Sequence, residues 1–141
     1  MTAKYNAACC LMHNKDEAVY NDFLEDMVSE MAECVKIARE AGVADDKIML
    51  DPGVGFGKTY EQNLTTIKYM DDLKKLGYPL LLGTSRKSVI GLTLDTPVTD
   101  RAVGTAVTTV FAVQQGYAFV RVHDIKANKQ AIQMTKAILN A

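Results

Sequence analysis

The chain has little cysteine, no surplus of either charge and no long hydrophobic run. Its cysteines number 3: Cys9, Cys10 and Cys34. An odd count, with two adjacent in one apolar run, is not a disulfide framework, so a reduced, cytoplasmic protein is expected. Lys and Arg total 16 against 17 Asp and Glu, a formal charge of −1. Nucleic acids and anionic membranes both select for net basic surface, so neither is an expected partner. Any anion bound here needs a local cluster of cations. The longest apolar runs, such as Ala7–Met12 and Pro79–Leu82, fall far below the roughly 18 residues of a membrane span. The opening residues lack the basic start and extended apolar core of a signal peptide.

What is present is ordinary for a globular protein: 141 residues, 48% hydrophobic and 23% charged. That length predicts a single domain over residues 1–141. Strand-length apolar runs occur at Ala7–His13, Ile48–Asp51, Leu80–Gly83 and Phe119–His123. Three are nearly continuously hydrophobic, as in parallel strands covered on both faces. Helical spacing of apolar residues falls between and after them, over Val19–Ala41, Tyr60–Leu76, Arg101–Gln115 and Ala127–Leu139. The methionines of the first helix are expected in the core, and Asp124 or Asn128 is expected to cap the last. The order βαβαβαβα predicts an α/β fold with a parallel sheet and right-handed crossovers. The runs end at positions 13, 51, 83 and 123, a repeat of 38, 32 and 40 residues. A (β/α)₈ TIM barrel of about 250 residues uses about 31 per unit. Four such units, half a barrel, fit this chain, and an open flavodoxin-like sheet is the competing architecture. Four strands cannot close a barrel, so a half-barrel needs a partner for its bare edges.

Chemistry concentrates at three strand ends. The first is Asp51-Pro52-Gly53-Val54-Gly55-Phe56-Gly57-Lys58-Thr59. Its glycine spacing fits neither a P-loop nor a dinucleotide fingerprint. What is left is an acid at the carboxyl end of a strand, where α/β barrels carry their chemistry, or a carboxylate that merely caps the turn before Pro52. The second is Gly83-Thr84-Ser85-Arg86-Lys87-Ser88. Two hydroxyls, a guanidinium and an ammonium at a strand-to-helix junction suit an anion, and a solvated basic turn is the alternative. Ser85 lacks the surroundings of a nucleophile elbow. The third is Arg121-Val122-His123-Asp124. Two-residue alternation puts Arg121 and His123 on one face, and an arginine in an apolar strand needs an anion, either a ligand or a structural partner such as Asp124 or Asp51. Cys9, Cys10 and His13 are not a metal site, because adjacent strand residues point to opposite faces.

Together DPGVGFGK, LLGTSRKS and RVHD, with CCLMH near the start, resemble the dihydropteroate synthase family. The likeness runs over essentially the whole chain, but over only the C-terminal half of that family's (β/α)₈ barrel. It implies condensation of para-aminobenzoate with 7,8-dihydropterin-6-ylmethyl diphosphate to give 7,8-dihydropteroate and diphosphate. By motif, Asp51 resembles the carboxylate that reads the pterin. Lys87 is similar to a lysine that hydrogen-bonds it. Arg121 resembles a guanidinium stacked on the ring and, with His123, a holder of diphosphate. Met12 and Phe56 look like pocket walls, Gly83 like part of the site, and Ser85 like part of the para-aminobenzoate site. No protein nucleophile is implied. The family's Mg²⁺ and its ligand belong to the other half, so no metal ligand is expected here. The resemblance also implies a homodimer, and little or no turnover by this half alone. Two alternatives are another pterin-binding barrel, such as a methyltetrahydrofolate methyltransferase, and a non-enzymatic half-barrel that only associates.

Overall fold

The structure, a computed structural model, describes residues 1–141. Its strands are β1 (Cys9–Met12), β2 (Ile48–Asp51), β3 (Leu81–Leu82) and β4 (Phe119–Val120). Its helices are α1 (Phe23–Glu40), α2 (Tyr60–Lys68), α3 (Ser88–Leu94), α4 (Ala102–Gln114) and α5 (Ile125–Leu139). All pairing is parallel: β1 on β2 and β3 on β4, with a single bridge from Leu50 to Leu80 joining the pairs. Neighbour order therefore equals chain order. The fold is α/β, and its strands do not close into a barrel.

The two faces of this strip differ. Leu11, Ile48 and Leu50 lie under α1 and the 3₁₀ turns of Met70–Leu76, among Met27, Met31, Val35, Leu73 and Leu80. Leu82 and Val120 lie with Val89, Ile90 and Ala112. Met27 and Met31 are fully buried, as their helical spacing predicts. Alternation turns Cys10, Met12, Met49, Asp51, Leu81, Gly83, Phe119 and Arg121 to the other face. No helix covers it: Phe119 is 51% exposed, whereas Leu50 is 0% exposed. Cys9 packs on the helical side and Cys10 is exposed on the other.

Departures from the predicted elements have local causes. The expected helix Tyr60–Leu76 begins with a Thr59/Gln62 capping box but breaks after Lys68. There the Gln115 side-chain amide donates to the carbonyls of Ile67 and Lys68 and its oxygen accepts from the Asp71 N–H, so the chain continues as 3₁₀ turns. The run to His123 is strand only over Phe119–Val120, because the His123 N–H donates to Ser85 Oγ at 3.0 Å rather than to a neighbouring strand. The first helix begins at Phe23, not Val19, where the Asp22 side chain caps Glu25 N–H at 3.0 Å. The helix at the GTSRKS junction is α3, only 7 residues long and too short for the apolar spacing to mark it out. Neither expected cap of α5 caps with its side chain. The Asp124 side chain is paired elsewhere, and Asn128 is buried, accepting from Thr109 Oγ1 at 2.6 Å.

Candidate functional site

Parallel pairing brings every strand's carboxyl end to one edge, so the loops that follow β2, β3 and β4 meet there. Asp51 ends β2 and is 2% exposed. Its Oδ1 accepts from Gly53 N–H at 2.8 Å, which is the turn-capping alternative realised. Oδ2 points the other way. A side-chain carbon placed on Gly83 would lie 3.4 Å from it and 3.0 Å from Arg121 Nη2. The glycine thus lets an anion and a cation face the same small space, while the other oxygen of Asp51 caps the turn.

Lys87 reaches into this space from the loop after β3. Its Nζ donates to the Val54 carbonyl and sits 4.7 Å from the centre of the Phe56 ring. Burial pushes the ammonium below its ordinary value; the Asp51 carboxylate works against that shift and Arg121 adds to it. Gly83, Ser85, Lys87, Arg121, Val122 and His123 line a cleft of about 320 Å³. Ser85 Oγ and His123 Nδ1 are 2.8 Å apart. Arg121 has no ion pair in the chain, so neither structural partner suggested for it is used. Met12 stands beside Asp51 in register. All eight residues singled out by motif therefore lie along one edge, with Phe56 at its rim.

Two members of the GTSRKS segment serve the scaffold instead. Arg86, at φ 57°, forms a two-pronged pair with Asp124, Nε to Oδ2 at 3.1 Å and Nη2 to Oδ1 at 2.8 Å. Hydrogen bonding from this guanidinium holds the Asp124 carboxyl below its ordinary value. The hydroxyl of Thr84 is buried against Thr108 at 2.7 Å. Arg101 donates to the Arg86 and Lys87 carbonyls at 3.0 and 3.3 Å. These contacts lock the β3 loop to the β4 loop and to α4.

A second cluster escaped sequence reasoning. His13, 2% exposed, stands 2.8 Å from Glu30 Oε2 through Nε2 and 2.7 Å from Lys58 Nζ through Nδ1. Lys15 also pairs with Glu30, at 2.6 Å. Lys58 donates to the Gly53 and Phe56 carbonyls, each at 3.1 Å. Burial lowers Lys58 to about 8 and also lowers His13. The signal in the sequence is Lys58, the lysine that closes DPGVGFGK. No group of three His, Cys, Asp or Glu side chains converges in the structure.

Residues 1–123 match the family described as pterin binding enzyme. The chain belongs to this family. Similar pterin binding enzymes include the dihydropteroate synthase of Clostridium beijerinckii, 52% identical over 140 residues, which cover 99% of this chain and 52% of that protein. The Bacillus subtilis dihydropteroate synthase is 48% identical, with 99% and 49% covered. Among solved structures, Clostridium difficile dihydropteroate synthase in the presence of pteroic acid superposes with a TM-score of 0.94 at 46% identity, over 97% of this chain and 52% of that one. Yersinia pestis dihydropteroate synthase with a sulfonamide drug gives 0.95 at 33% identity, over 99% and 53%. The chain thus spans about half the length of the relatives it matches. No helix is long and apolar enough to cross a membrane.

Proposed function

We propose that residues 1–141 act as the C-terminal half of a pterin-binding (β/α)₈ barrel, and that the complete reaction is that of dihydropteroate synthase. The observation that carries this reading is the meeting of Asp51 Oδ2 and the Arg121 guanidinium across Gly83, beside Lys87. A flat heterocycle with an amide N–H and an amino group on one side suits a carboxylate that accepts both. Although Oδ1 already accepts from Gly53 N–H, each carboxylate oxygen has capacity for a second donor. Lys87 then donates to ring acceptors, and Arg121 stacks on the ring and, with His123, holds the diphosphate. Ser85 faces the arylamine, and Met12 and Phe56 wall the ring.

In this reaction the bond from the pterin methylene carbon to diphosphate oxygen breaks. The amine nitrogen of para-aminobenzoate then forms the new bond and loses a proton to solvent. No protein nucleophile is required. The cations hold the charge that develops on the leaving group, and the pocket orients the amine. Mg²⁺ is part of this proposal only with ligands outside these residues, and no step is assigned to it. A methyltetrahydrofolate methyltransferase would have no use for the cationic cleft, which favours the synthase.

The exposed sheet face of Cys10 and Phe119 supports a complementary half as its cover. A homodimer through α3–α5 is supported by Leu92, Val103, Ile125, Met134 and Ile138, all more than half exposed. Calorimetry of the chain with pteroate and with pterin diphosphate tests the reading. Binding that is lost in Asp51→Asn is expected, and tight binding unaffected by that change overturns it. Diphosphate release on adding para-aminobenzoate, once a complementary half is supplied, would single out the synthase reaction. Sedimentation tests the dimer, and a concentration-independent monomer rejects it.

A further inference from the structure

The glycine loop is held from behind. His13 follows β1, Glu30 lies on α1 and Lys58 closes the loop after β2. Three acceptors surround Lys58 Nζ: His13 Nδ1, the Gly53 carbonyl and the Phe56 carbonyl. An ammonium has three donors and no acceptor, so it satisfies all of them only while charged. His13 Nδ1 must then carry the lone pair, and its Nε2–H donates to Glu30. Burial and the neighbouring ammonium keep the imidazole neutral, in agreement with that tautomer.

We propose that His13 and Lys58, backed by Glu30, are the positioning residues of the Asp51–Lys58 loop, and that loss of one Lys58 proton to solvent leaves one of its three acceptors, His13 Nδ1 or a loop carbonyl, without a donor and loosens the loop. None of the three touches the cleft lined by Lys87 and Arg121. They act through the carbonyls on either side of Val54, whose own carbonyl receives Lys87, and through Phe56, which carries the ring beneath Lys87. Every charged group around Lys58 belongs in this account. Asp51 and Glu30 favour its charged form, Lys87 opposes it, and Lys15 competes for Glu30.

The folded value near 8 lies below the ordinary 10.5. The unfolded chain therefore binds the extra proton between those values, and this term makes the fold more stable as the pH rises through them. The titration of Lys58 therefore works against unfolding in that window and does not drive it. The consequence for ligand capture rests on the pterin-binding reading, but the titration itself needs no ligand. Its failure would leave that reading standing, and a chain that titrates without binding pteroate would overturn only that reading.

The amides of Val54 and Gly57 share peptide units with the two carbonyls. Their ¹⁵N–¹H resonances in the 141-residue chain should shift with a midpoint near pH 8. In Lys58→Arg, which stays charged, they should be flat between pH 7 and 9. In Glu30→Gln the midpoint should move to lower pH, because the carboxylate no longer favours the ammonium. Resonances that do not move in the parent chain overturn the proposal, as does a parent-like titration in Lys58→Arg or a midpoint in Glu30→Gln that stays or rises. If the arginine variant does not fold, the parent titration and the Glu30→Gln shift decide the matter.

Discussion

The loop after β2 and the loops after β3 and β4 leave the same edge of the sheet, yet they use their polar groups in opposite ways. In the first, Lys58, Asn63 and Tyr20 satisfy loop carbonyls and amides, with Gly55 N–H on Asn63 Oδ1 at 2.6 Å and Tyr20 Oη on the Gly57 carbonyl at 2.7 Å. In the second pair, Arg86 and Thr84 tie the loops to the side chains of Asp124 and Thr108 and Arg101 holds their backbone, while Arg121 keeps its guanidinium free and the His123 ring meets only Ser85. One loop is a preformed wall. The other two present cations that gain most from a ligand. A comparable split separates the sheet's faces, Leu50 under helices and Phe119 in the open.

The sharpest way to break this contrast is to disturb the wall. Gly53 has φ +68°, and an added Cβ would stand 1.8 Å from the His13 carbonyl oxygen. Gly53→Ala should cost about 4 kcal/mol in denaturant unfolding, from the left-handed conformation together with overpacking. A loss within error of zero would show that the wall yields. Next, Leu50→Ala should cost about 3 kcal/mol, while Phe119→Ala, open on the other face, stays within about 0.5 kcal/mol. Equal losses would mean the two faces are packed alike in solution.

Arg121→Ala tests the opposite loop. It should weaken pteroate or diphosphate binding by roughly 1.5–3 kcal/mol in calorimetry, with unfolding stability unchanged within about 0.5 kcal/mol. A stability loss equal to the binding loss would make Arg121 a scaffold residue after all. Asp124→Asn removes one end of the solvent-screened pair with Arg86 and should lower stability only slightly; no change would release the β3 and β4 loops from that pair. The smallest effect is a pH dependence of the wall. His13 is held below its ordinary 6.5 by burial and then by Lys58. Its contribution is present above that pH and is lost as the pH falls toward the folded value, because the unfolded chain takes the proton first. Stability measured between pH 7 and 5 should decline, and the decline should flatten in His13→Asn. An unchanged slope in that variant would place the titration elsewhere.

Much of this arrangement was legible from particular residues. The continuous apolar run Ile48–Asp51 reads as a buried parallel strand and is one. Met27 and Met31, spaced one helical turn apart, read as core and are fully buried. Three charged motifs, each just past an apolar run, imply a shared edge once the strands are parallel. Less legible were the ends of elements, because distant side chains set them. Gln115 stops α2 and Ser85 ends β4, and both lie far away in the sequence. The division of labour within GTSRKS was equally hidden. Arg86 and Lys87 are adjacent cations of similar chemistry, and only the left-handed turn at Arg86 sends one to Asp124 and the other to Val54.

By itself the sequence determined the alternation of strand and helix, the burial of the apolar stripes, and which residue types stand after each strand. These follow from periodicity and turn chemistry, which act over a few residues. Only the tertiary structure decided which of those groups keep their charge free and which are consumed in holding the loops. Hydrogen bonds and burial between residues such as His13 and Lys58 depend on distances in space that no spacing along the chain encodes.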